Sequence, residues 1–191
     1  MRIPTASQTV GPFFHDCLVR EGENILARAS EHPQGIRIVG QVLDGAGEPV
    51  TDALLELWQA GPDGVFPGYD AEGRPSEEMG EFRGFGRGAT DADGGFSFET
   101  LKPGAVPAPD GHLQAPHINV AVMARGMLKR LVTRIYFDDE AATENDPVLQ
   151  RIPGSKARAT LIAQRMAGDA VPSYQFNIVL QGEGETVFFD V

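Results

Sequence analysis

Glycine and proline fall all along this chain, 23 and 14 times in 191 residues, so the stretches between them are short. Such punctuation favours many brief strands joined by turns. Residues 36–44 (IRIVGQVLD) are rich in β-branched side chains and alternate over much of their length, as a half-buried strand should. Residues 45–49 (GAGEP) turn the chain, and residues 53–60 (ALLELWQA) follow. Periodicity alone leaves that segment helix or strand; its length, its flanking Gly and Pro and the strand before it favour strand. The turn cluster TDADGG precedes an alternating strand at 96–100, and residues 117–124 (HINVAVMA), 131–137 (LVTRIYF), 174–180 (YQFNIVL) and 186–191 read as further strands. Residues 146–152 and 157–166 read as helical, with Asp146 and Pro147 supplying an N-cap and a first-turn proline. Residues 61–88 are too long for an ordinary hairpin loop and are expected to form a functional or interface excursion. The pattern predicts an all-β domain over residues 36–191, a sandwich or a barrel, with one or two short helices.

Residues 1–35 differ in kind and are expected to form an N-terminal arm. Gly11-Pro12 should halt regular structure there, and Phe13 and Phe14 follow at once. Exposed phenylalanines are costly unless a surface covers them. That surface is either the arm's own domain or a partner chain.

Charge and composition remove several function classes. A formal net charge of −11 and a pI near 4.7 argue against nucleic acid, whose phosphates need clustered Lys and Arg. The same charge disfavours anionic membranes, and a small anionic ligand would need a local Arg or Lys. No apolar run approaches the roughly 18–20 residues that span a bilayer, and no signal-length apolar stretch follows Met1, so a cytoplasmic home is expected. Cys17 is the single cysteine, which rules out an intrachain disulfide and a CxxC zinc site; it reads as an inert thiol. GxSxG, HExxH and GxxxxGK[ST] are all missing from the sequence. Asp138-Asp139-Glu140 follows a strand and reads as a solvated turn, because catalytic carboxylates need separation across a cleft.

Seven strings occur together and in order: QTVGPFF, GQVLD-x-x-G-x-P, ALLELWQA, TDADGGFSF followed by LKPG, APHINVAVMARG, RIYFDDE and LQGEGETVFFDV. Together they resemble the intradiol ring-cleavage dioxygenases over nearly the whole chain. The likeness is strongest to the protocatechuate-cleaving branch, in which an alpha and a beta chain pair, and there to the alpha chain. The resemblance implies a β-sandwich and a reaction in which O₂ cleaves a catechol between its two hydroxyl carbons. It also implies a ferric ion held by two tyrosines and two histidines, hard anionic phenolates and imidazoles suiting that ion. Carried onto this chain, the tyrosine positions are Phe66 and Val106, and the His-x-His pair reads His117-Ile118-Asn119. Three of the four expected donors are thus replaced, and His117 alone reads as a hydrogen-bonded interior histidine. Tyr69 is near Phe66, but nothing replaces the second tyrosine; His15, His32 and His112 lie on arm or loop segments without ligand spacing.

What the resemblance implies is a division of labour: no complete catalytic site in this chain alone, with Fe3+ held by a beta subunit and none bound here. The arm would then line part of the beta chain's pocket through Thr9, Gly11 and Pro12, together with Arg125. Gly-Pro gives a rigid, narrow edge, and an arginine can neutralise the ring carboxylate of 3,4-dihydroxybenzoate. Arg125 also reads as a simple strand-end surface charge. Two other readings compete: a stand-alone transthyretin-like β-sandwich interaction module, and a self-sufficient dioxygenase with substituted ligands.

Overall fold

Alternation decides which face turns inward. In β7 (Ile118–Met123), Ile118, Val120 and Val122 are buried, whereas Asn119, Ala121 and Met123 are partly exposed. The computed structural model describes residues 5–70, 74–75, 82–108 and 111–190. Around β7, strands β2 (Leu54–Gln59), β3 (Phe85–Ala89) and β8 (Leu131–Phe137) form an antiparallel group in the order β8-β7-β2-β3. β8 continues in parallel to β9 (Ile162–Arg165), and β9 pairs antiparallel with β10 (Ser173–Gln175). β10 and β11 (Ile178–Val179) run parallel to β1 (Gly35–Leu43), whose other partner is the antiparallel β4 (Gly95–Leu101). Among the described residues these nine strands make one hydrogen-bonded sheet.

The sheet curls so that its two ends face each other. Ile36 and Ile38 of β1 and Phe98 of β4 share one core with Leu55 and Leu57 of β2, Val120 of β7 and Phe137 of β8. Each of these side chains contributes about 1.5–3 kcal/mol by leaving water. Across the two layers, a Cβ added at Gly88 on β3 would stand 3.0 Å from the Phe98 ring. The result is the two-layer sandwich anticipated from the strand pattern and the resemblance.

The outer face of β8 carries a second, smaller core, in which Tyr136 packs with Ala115, Leu149, Ile152 and Leu161. Here Asp146 caps, but not a helix over 146–152. Its carboxylate accepts the Val148 and Leu149 amides at 2.8 and 2.9 Å and closes a three-residue 3-10 turn, Leu149–Arg151, because Pro153 follows at once. The helix expected over 157–166 is also corrected. α2 covers only Ser155–Ala159, and the chain then becomes β9. The gap between β8 and β10 offers hydrogen bonds on both sides, and that pairing overrides local helix propensity.

The strand expected over 174–180 breaks into β10 and β11. At the break Asn177 accepts the Gln41 amide through its side chain at 3.1 Å, and Phe176 approaches so closely that a Cβ on Gly40 would meet its carbonyl at 1.7 Å. At the C-terminal end a single bridge, Val132 to Phe189, stands in place of the expected strand. The excursion at 61–88 ends in β3, and a short ribbon of β5 (Val106–Pro107) and β6 (Leu113–Gln114) lies beside it.

Pro12 does not halt structure in the arm. It opens α1 (Pro12–Leu18), since proline fits the first helical turn, whose amides lack partners anyway. Farther along, Leu26 donates its amide to Glu99 at 2.8 Å and Asn24 accepts that of Glu99 at 3.0 Å. The rear of the arm therefore lies along β4 of its own domain. No helix among the described residues is long and apolar enough to cross a membrane.

Candidate functional site

The residues singled out from the sequence fall into two groups, at opposite ends of the β2–β7 pair. At one end, Trp58 of β2 stands opposite Asn119 of β7, whose side-chain amide donates to the Trp58 carbonyl at 3.2 Å. The Trp58 ring stacks on Phe66, with centroids 5.6 Å apart and planes 20° from parallel. Phe66 and Val106 line one cleft of about 860 Å³, together with Trp58, Tyr69 and Leu113. Phe66 and Val106 thus share one cleft, and Asn119 joins its wall only through the Trp58 carbonyl. The phenyl ring and the isopropyl group have no donor atom, and the Asn119 amide nitrogen is engaged with backbone.

His117 directly precedes β7 and is 2% exposed. Its Nδ1 lies 2.8 Å from the Ala115 carbonyl and its ring 5.7 Å from that of Tyr136. Desolvation foremost, then the nearby Arg134 charge, lowers its pKa to about 4. The ring is a neutral donor to backbone, as an interior histidine should be. His32 and His112 are exposed, and Cys17 is exposed on α1 with His15 two residues before it. Among the described residues no three His, Cys, Asp or Glu side chains cluster as metal ligands. Among the described residues, Tyr69 is the one phenol on the cleft wall.

Asp139 departs from the expected solvated turn. It binds Lys102 at 2.8 Å, the Tyr174 hydroxyl at 2.9 Å and Arg165 at 3.1 Å. This knot ties the end of β4 to β9 and β10. Sequence spacing held no sign of it, because its members come from four separate segments.

At the other end of β2–β7 the arm meets the turn after β7. Thr9 Oγ1 accepts the Gly126 amide at 2.7 Å. Gly126 has φ +82°, a left-handed conformation that glycine adopts without steric cost. Arg125, whose side chain is 76% exposed, forms an ion pair through Nε with Asp52. Leu54 pairs with Met123 in the ladder, and Asp52 and Arg125 continue that register two residues beyond each. Asp52 escaped the sequence reading, since only the register brings it opposite Arg125. Gly11 and Pro12 follow Thr9 into α1, so the four pocket candidates gather at one corner. Arg125 borders an open hollow of about 900 Å³ with Met127, Leu128 and Lys129 that shares no lining residue with the Phe66 cleft. Asn119 lies near the start of β7 and Arg125 two residues past its end at Met123, six residues apart and roughly 20 Å at the usual extended rise. Arg125 therefore cannot serve the cleft of its own chain.

A family model described as Dioxygenase matches residues 10–182. The chain is 43% identical to the protocatechuate 3,4-dioxygenase alpha chain of Pseudomonas putida, covering 97% of this chain and 96% of that one. It is 36% identical to the protocatechuate 3,4-dioxygenase beta chain of Burkholderia cepacia, over 94% of this chain and 77% of the relative. Among solved structures, the dioxygenase domain of a dioxygenase–carbohydrate-binding protein fusion from Streptomyces sp. SirexAA-E matches with a TM-score of 0.60 and 26% identity, covering 83% of this chain and 87% of that one. A curled β-sandwich with a Trp58-walled cleft, matched along almost its whole length by these proteins, belongs to the intradiol ring-cleavage dioxygenase family.

Proposed function

We propose that this chain is the alpha subunit of a protocatechuate 3,4-dioxygenase, paired with a beta subunit that holds the ferric ion. The assembled enzyme takes 3,4-dihydroxybenzoate and O₂ to 3-carboxy-cis,cis-muconate, both oxygen atoms entering the product. Iron, when bound in the beta chain, activates the catechol for attack by O₂. The residues of this chain do not fit a ferric ion: Phe66, Val106 and Asn119 supply neither phenolate nor imidazole. A likeness spanning 97% of the chain to an alpha chain, joined to those donorless positions, is the observation that carries the reading. A stand-alone interaction module has no reason to match such enzymes from end to end.

In this reading the corner of Thr9, Gly11, Pro12 and Arg125 is offered to the partner's pocket. The separation of Arg125 from the Phe66 cleft supports it, since an arginine that reaches substrate from here does so in another chain's site. Gly11-Pro12 gives an edge narrow enough to approach an aromatic ring. Arg125 supplies the positive charge that an anionic substrate needs on a chain of net charge −11. A cytoplasmic location goes with this reading.

The test is co-production with a beta chain, against each chain alone, followed by iron analysis and O₂ uptake with 3,4-dihydroxybenzoate. This chain alone should lack stoichiometric iron and the visible tyrosinate-to-iron band, and the pair should have both along with O₂ uptake. About one iron per chain, with a visible band, in protein made without a beta chain would overturn the reading.

A further inference from the structure

We infer that Asp52 is a positioning residue for Arg125, holding the guanidinium so that its outer edge is presented to the substrate carboxylate. The inference rests on the functional reading just given and adds a residue that reading does not contain. A guanidinium has five N–H donors in a fixed fork. Asp52 takes the one on Nε, and the terminal nitrogens make no other hydrogen bond among the described residues. The edge left open is the one that grips a carboxylate through two parallel bonds.

Both ends of the pair stand on fixed backbone. Next to Asp52, Ala53 is fully buried, its amide donating to Thr90 Oγ1 at 2.9 Å and its carbonyl accepting the Thr90 amide at 2.9 Å. Next to Arg125, Ala124 is buried and the Gly126 amide is clipped by Thr9 at 2.7 Å. Without Asp52, a long side chain that is 76% exposed would roam among rotamers and have to be ordered each time substrate binds. Asp52 therefore acts on binding rather than on the bonds that break, and its removal belongs in KM.

The experiment is a double-mutant cycle in the assembled enzyme, with Asp52→Ala, Arg125→Ala and both together, assembly being checked for each. Steady-state kinetics are run on 3,4-dihydroxybenzoate and on catechol, which lacks the carboxylate. Asp52→Ala is expected to raise KM for the acid about 3- to 10-fold through lost preorganisation, with kcat and catechol turnover little changed. In the Arg125→Ala background the same substitution should do nothing further. Asp52→Asn, which keeps an acceptor oxygen, should fall between, and it serves as the second variant if the alanine substitution disturbs folding. An unchanged or lowered KM would overturn the inference, as would an Asp52 effect that persists without Arg125 or strikes both substrates alike. A KM untouched by Arg125→Ala in an intact assembly would instead remove Arg125 from the pocket, and the inference would fall with that part of the reading.

Discussion

At His117, burial to 2% exposure and a pKa lowered to about 4 tie one imidazole to the pH dependence of folding. In the unfolded chain the ring takes a proton near its ordinary value of 6.5. Between that pH and about 4 the unfolded state binds more protons than the folded one, so stability falls as pH drops. The loss from this group is about 2 kcal/mol by pH 5 and about 3 kcal/mol below pH 4, at about 1.4 kcal/mol per pH unit. His117→Gln keeps a side-chain N–H for the Ala115 carbonyl and removes the titration. Urea midpoints at pH 7.5 and pH 5.0 should therefore lie closer together in the variant than in the native chain. Equal separations would mean that the imidazole is not held neutral by the fold.

Arg87 works between elements. It stands opposite Glu56 across β2–β3, and its Nε and Nη2 donate to Glu56 Oε1 at 2.9 and 2.7 Å. Its Nη1 also reaches the Leu18 carbonyl at 3.4 Å, and its backbone amide donates to the Glu23 carbonyl at 2.9 Å. With side chains only 19% and 23% exposed, this pair is neither a surface contact nor a fully buried one. Arg87→Ala would leave Glu56 unpaired and release the link to the end of α1, at a cost of about 1–3 kcal/mol. Limited trypsin digestion should then cut faster at Arg20, and Arg87→Lys should be intermediate. Unchanged cleavage would mean that backbone bonds alone hold the arm. Elements of this kind mark where sequence reading stopped. β1 was legible because apolar residues alternate with others along it, β2 because its length and flanking Gly and Pro favour strand, and β7 and β8 as short runs rich in β-branched residues. β3 was not, since Gly86 and Gly88 are required by neighbours: an added Cβ would meet the Leu26 side chain at 2.2 Å and the Phe98 ring at 3.0 Å. β9 was hidden because the edges of β8 and β10, not its own sequence, make it a strand. The loss of ligand types at Phe66, Val106 and Asn119 was visible only through family resemblance, and the Asp52–Arg125 pair only through register.

On the scale of the whole molecule, one corner exposes apolar groups that no described residue covers. Phe13 is 79% exposed on α1, four residues after the Thr9 clip, and Leu128 is 61% exposed, two residues after Gly126. Burying a phenylalanine of about 150–250 Å² is worth roughly 2–3 kcal/mol, so this corner favours any apolar surface that fits it. In the proposed assembly that surface belongs to the beta chain, and obligate interfaces of this kind usually bury over ~2,000 Å². Without the partner, copies of this chain should use one another, despite the mutual repulsion of a net charge of −11. Sedimentation of the isolated chain should therefore show concentration-dependent self-association that added salt strengthens by screening. Phe13→Ser should weaken that association while leaving the urea midpoint of the monomer nearly unchanged, because an exposed ring contributes little to the fold. Adding beta chain should dissolve the self-associated species and slow amide exchange across residues 13–18. A monodisperse monomer at high concentration, whose arm amides exchange at the same rate with and without beta chain, would show that the corner has no partner to meet.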